Sequence, residues 1–84
     1  MKGVLKYPLT TEKAVKLIES ENKLLFVVDL KANKASIKKD IEKLFGVKVE
    51  KINTLITSDG EKRAYIKLSK ETPAMDVITK LGLM

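Results

Sequence analysis

The run Leu24-Leu25-Phe26-Val27-Val28-Asp29-Leu30 is the strongest constraint in the chain. It is apolar on both parities, so a strand built from it must be covered on both faces. It is also too short and too β-branched for a buried helix. The remaining residues must supply that cover, and a length of 84 allows only one small domain to do it. An apolar fraction of 44% suffices for one core. The longest uninterrupted apolar stretch, Leu24 to Val28, is five residues, against roughly 20 for a bilayer span. No apolar segment follows Met1-Lys2 as a leader would require. A soluble, intracellular chain without stable membrane insertion is expected.

The flanking patterns assign the other elements. Val4-Leu5-Lys6-Tyr7 reads as a short extended segment stopped by Pro8, and Thr10 or Thr11 caps a helix with Ala14, Leu17 and Ile18 at i, i+3, i+4. After the central strand, Asn33 or Ser36 caps a second helix. Its apolar residues Ile37, Ile41, Leu44 and Phe45 fall at i, i+4, i+7, i+8, and Gly46 ends it. From Val47 the pattern has a fault: Val47 and Val49 share one parity, Ile52, Thr54 and Ile56 the other. Either a strand starts near Glu50, the preferred reading, or a bulge absorbs a residue around Glu50-Lys51. Asp59-Gly60 is a hairpin turn before Ala64-Tyr65-Ile66-Lys67-Leu68. Thr72-Pro73 opens a last helix as N-cap and first turn, and Gly82 closes it. The order is β-α-β-α-β-β-α. The fold class is α+β, a mainly antiparallel four-stranded sheet with helices packed on it, in three layers if the central strand is covered from both sides.

Chemistry is restricted by composition. The chain has no Cys and no His, which removes disulfides, thiolate nucleophiles, Ser-His-Asp machinery and zinc sites of nitrogen and sulfur ligands. The one Arg, Arg63, sits beside Lys62 with no Gly-rich loop before a helix to cradle phosphate, and no carboxylate pair is placed to share a substrate. No catalytic residue, metal ligand or cofactor is expected, and the chain reads as a non-enzyme.

Charge points elsewhere. There are 17 Lys plus Arg against 11 Asp plus Glu, a formal net charge of +6, which implies a polyanionic partner, most commonly nucleic acid. The excess is local: residues 31–51 hold seven lysines against three acids. Lys34 and Lys38 fall at i, i+4 on the second helix, with Lys31, Lys39 and Lys43 nearby. This pattern suits phosphate contacts, and equally a solvated helix face in which Asp40, Glu42 and Lys43 form intrahelical pairs. The last hairpin adds Lys62, Arg63, Tyr65 and Lys67, largely on one parity, and Asn53 and Thr54 offer hydrogen bonds on its other strand. That surface reads as RNA-facing or as a charged edge protected from aggregation. With four aromatics in all, and Phe26 assigned to the core, a base-stacking groove is not expected.

Five strings, taken in order, carry a resemblance. They are Tyr7-Pro8-Leu9-Thr10-Thr11-Glu12-Lys13-Ala14; Asn22-Lys23-Leu24 with Phe26 and Val28; Lys31-Ala32-Asn33-Lys34 leading to Ile37; Val47-Lys48-Val49 with Ile52-Asn53-Thr54; and Gly60 through Leu68. Over nearly its full length the chain resembles the large-subunit ribosomal protein family number twenty-three. The resemblance implies a structural protein of the cytoplasmic ribosome that binds large-subunit ribosomal RNA at the rim of the polypeptide exit tunnel. There it would contact neighbouring ribosomal protein number twenty-nine and offer a docking platform for the signal recognition particle or nascent-chain chaperones. Glu12 occupies the position that receives such a factor in the bacterial branch; it also suits a helix N-terminus without any partner. The bacterial branch has a long basic loop in the last hairpin, whereas only Thr57-Ser58-Asp59-Gly60-Glu61 stands here. The chain also lacks the basic N-terminal extension of the eukaryotic branch. It is therefore most similar to the archaeal form, which points away from trigger factor as the docking partner. The residues expected at RNA are Lys31, Lys34, Lys38, Lys39, Asn53, Thr54, Lys62, Arg63, Tyr65 and Lys67. The alternative is an adaptor of the same fold acting outside the ribosome on RNA or an acidic protein, which high salt would strip from the large subunit.

Overall fold

The computed structural model describes residues 3–81, in the order β1 (Leu5–Pro8), α1 (Glu12–Glu21), β2 (Lys23–Val28), α2 (Lys34–Phe45), β3 (Val49–Ile56), β4 (Lys62–Leu68) and α3 (Ala74–Lys80). The four strands form one antiparallel sheet in the order β1-β2-β4-β3. This is the expected α+β fold. Strand β4 inserts between β2 and β3, so those two run parallel, and α2 is the crossover that joins them.

Burial explains the arrangement. Leu24, Phe26 and Val28 of β2 join Ile52 of β3 and Ala64, Ile66 and Leu68 of β4 in the main core, where Ile18, Ile37, Ile41, Ala74, Val77 and Ile78 of the three helices meet them. Phe26 packs on Phe45 with ring centroids 6.2 Å apart and planes tilted by 49°, within the favourable range for an aromatic pair. On the opposite parity Leu25 and Val27 are only 4% and 2% exposed. The doubly apolar run is thus buried on both faces, as its composition demands.

The helix boundaries follow local chemistry. Thr11 caps α1, its hydroxyl accepting from Ala14 N–H at 3.3 Å. At α2 both expected residues act together. Asn33 Oδ1 accepts from Ser36 N–H at 2.8 Å and Ser36 Oγ accepts from Asn33 N–H at 3.1 Å, a reciprocal capping box. Gly46 closes α2 with φ +64°, a conformation glycine adopts without strain.

The structure refines two expectations. β3 starts at Val49, one residue before Glu50, and the parity fault is absorbed by a register shift between Val49 and Lys51, so the irregularity of the alternative reading lies inside the strand. Pro73, not Thr72, is the N-cap of α3, and no side chain of its own segment caps the helix. Asn22 does so from a distance, Oδ1 accepting from Ala74 N–H at 2.6 Å. Gly82, the expected terminator of α3, lies outside the described residues.

Candidate nucleic-acid interface

The basic surface centres on α2 and the loop before it. Lys31, Lys34, Lys38, Lys39 and Lys43 are all exposed, and none forms an ion pair among the described residues. The intrahelical pairing that the sequence left equally open does not occur, and the acids of the helix are engaged elsewhere. Asp40 accepts from Val4 N–H at 2.8 Å and Glu42 from Val49 N–H at 3.0 Å. Each carboxylate ties a strand entrance to the helix, and both are drawn to the half-buried side. The lysines keep the solvent side, so the helix presents almost purely positive charge outward.

Lys62 joins this surface. Sequence placed it with Arg63, Tyr65 and Lys67, but its partners across the sheet, Val28 and Ile56, set it on the opposite parity. Its Nζ donates to Ala32 C=O at 2.6 Å, in the loop between Lys31 and Lys34. The ammonium is half-buried there and reinforces the positive end of α2.

A second surface is formed by the other parity of the β3–β4 hairpin. Successive cross-strand rows are Lys51–Lys67, Asn53–Tyr65 and Leu55–Arg63. Thr54 is not among them: it pairs with Ala64 on the helix-facing side, so Asn53 and Thr54 point in opposite directions. Much of the charge on this surface is balanced internally. Arg63 Nε donates to Glu61 at 3.2 Å, and Lys67 Nζ lies 3.9 Å from Glu50. Tyr7 of β1 reaches across, its hydroxyl donating to Glu61 Oε2 at 2.9 Å, and that bond to a carboxylate raises the phenol pKa above its ordinary range. In the loop, the Thr57 hydroxyl donates to Asp59 and holds that carboxyl below the usual carboxylate range.

Lys51 is the residue that sequence reasoning missed. It is exposed and opposite Lys67. Its spacing of two from Asn53 was the available signal, masked by the unresolved parity fault. Glu12 stands apart from both surfaces, exposed in the first turn of α1 with Lys16 Nζ 3.9 Å away. Pairs this open contribute about 0–1 kcal/mol, so the carboxylate remains accessible. No group of three or more acids able to hold a metal occurs among the described residues, and none of their helices is long and apolar enough to cross a membrane.

The model of the family Ribosomal protein L23 matches residues 3–80. The chain belongs to the ribosomal protein L23 family, a family of structural components of the large ribosomal subunit.

Proposed function

We propose that the chain binds large-subunit ribosomal RNA through the lysines of α2 and its preceding loop. The carrying observation is the engagement of Asp40 and Glu42 by Val4 and Val49 N–H, which leaves Lys31, Lys34, Lys38, Lys39 and Lys43 without acidic partners among the described residues. Ammonium groups on a rigid helix neutralise phosphates and release counterions, the sequence-independent term that dominates such affinity. Lys62 adds to this surface, while Asn53, Tyr65, Arg63 and Lys67 supply shorter contacts on the hairpin face. Thr54 faces the helices and has at most a marginal part.

Lys34→Glu/Lys38→Glu is expected to weaken binding to a large-subunit RNA fragment and to reduce the slope of log affinity against log salt by about two. A filter-binding titration checks it. Unchanged affinity and slope remove α2 from the interface.

Family membership supports a place at the rim of the polypeptide exit tunnel, beside ribosomal protein number twenty-nine, where the signal recognition particle or nascent-chain factors dock. Glu12 is the docking residue in this proposal, exposed and engaged only by a long pair to Lys16. Ribosomes carrying Glu12→Ala are expected to bind the signal recognition particle less tightly, with RNA binding by the protein unchanged. Wild-type affinity for the particle sinks the assignment.

A further inference from the structure

Strand β3 lies at one margin of the sheet, bonded to β4 on one side and to no other strand among the described residues on the other. The hairpin determines which of its backbone groups face outward. Thr57 N–H donates to Glu61 C=O at 2.8 Å, so that pair is a bonded one, and in an antiparallel ladder bonded pairs alternate with unbonded ones. Counting back along the register, Leu55–Arg63, Asn53–Tyr65 and Lys51–Lys67 are bonded, while Ile56–Lys62, Thr54–Ala64 and Ile52–Ile66 are not. The N–H and C=O groups of Ile52, Thr54 and Ile56 therefore point away from β4. The same alternation requires Leu68 to bond toward β2 and Leu25 toward β1. Both do: Leu68 N–H donates to Asn22 C=O, and Leu25 C=O accepts from Leu9 N–H.

The two margins are treated differently. β1 has four residues and ends in Pro8, two of the usual means of blunting an edge. β3 has eight residues and no proline, and its one irregularity, between Val49 and Lys51, sits at the far end. Past that point Leu55 and Ile56 are 43% and 63% exposed. The segment from Ile52 to Ile56 is an open strand edge flanked by uncovered apolar side chains.

We propose that residues 52–56 of β3 accept an added strand from a partner protein whose side chains alternate acidic and apolar. An added strand continues both faces of the sheet, and the two rows of β3 specify what it carries. One face presents Lys51, exposed and without an ion-pair partner among the described residues, beside Asn53 and Leu55, and at Lys51 it favours a carboxylate; Lys67 and Arg63 in the next strand are already paired with Glu50 and Glu61. The other presents Ile56, 63% exposed, beside half-buried Thr54, with Ile52 already in the core, and favours apolar side chains. A net charge of +6 sets a second copy of the chain against this role and an acidic partner in favour of it.

The test is amide hydrogen exchange by NMR on the full chain, with an acetylated and amidated octapeptide of alternating glutamate and valine as probe. In the free protein the amides of Ile52, Thr54 and Ile56 are expected to exchange faster than those of Asn53 and Leu55. Added peptide is expected to slow these three by about ten-fold or more, and the same peptide N-methylated throughout to leave them unprotected. Thr54→Pro removes one outward N–H without touching a bond to β4 and is expected to abolish the protection of Ile52 and Ile56; if that variant does not fold, the N-methylated peptide carries the comparison. No protection at millimolar peptide overturns the proposal. So do shifts confined to the α2 lysines, and so does concentration-dependent protection without peptide, which would assign the edge to a second copy. Lys34→Glu/Lys38→Glu is expected to leave the protection in place, so this proposal and the RNA assignment fail separately.

Discussion

Asn22 holds more of the structure together than any other polar side chain described. Its Nδ2 donates among the carbonyls of Leu68, Ser69 and Thr72 at 3.3, 3.1 and 3.1 Å, while Oδ1 takes the first N–H of α3 at 2.6 Å. The residue itself sits at φ 54°, a left-handed conformation that asparagine tolerates better than most residues. One residue therefore ends α1 through its backbone, whose N–H donates to Leu17 C=O, and with its side-chain amide starts α3 and fixes the turn between β4 and α3. Asn22→Ala is expected to cost about 2–4 kcal/mol, from part-buried backbone groups left without partners and from left-handed strain. Asn22→Gly removes only the first term and is expected to cost about 1 kcal/mol less. Urea denaturation of both checks it, and equal losses would exclude a backbone contribution.

At the scale of elements, α2 shows how one helix separates structural from functional charge. Its N-terminus is satisfied by the Asn33–Ser36 box, and its acids are committed to Val4 and Val49, so no lysine is needed for internal pairing. Asn33→Ala is expected to destabilise the fold by about 1 kcal/mol while leaving the lysines and RNA affinity intact, as thermal melts and RNA titration would reveal. A matching fall in RNA affinity would mean that the cap itself touches the ligand. Strand β3 shows the converse. Val49 and Ile52 both reach the core, at 8% and 7% exposure, only because the register slips between Val49 and Lys51. Without the slip one of the two would face solvent.

For the whole molecule, a core built from three helices and a sheet carries an unbalanced surface. The four ion pairs described are surface pairs involving α1, the hairpin and the adjoining strands, and the α2 region has none. With a net charge of +6, repulsion in the folded state outweighs these weak pairs. The melting temperature of the free protein is therefore expected to rise by a few degrees between about 0.02 and 0.2 M salt, as screening shortens to about a nanometre. A fall would show that attractive pairs dominate. Opposite responses to the same variable, stability rising with salt and RNA affinity falling, would mark one charge distribution serving both.

Much of the fold was legible from residue patterns, because burial imposes periodicity on sequence. The apolar run at Leu24–Val28 demanded a strand covered twice, the stripe from Ile37 to Phe45 demanded a helix, and Asn33 and Gly46 marked its ends. The family strings placed the chain before any contact was visible. Tertiary structure decided whatever depends on residues far apart in the chain. It set Lys62 against Ala32 and Thr54 against the helices, sent Asp40 and Glu42 to strand entrances, and brought Asn22 to a helix that begins 52 residues later. Periodicity records which side of an element is buried, but a hydrogen-bond donor carries no mark of the acceptor it will meet. The division of the lysines between ligand and scaffold became visible only once the chain had closed on itself.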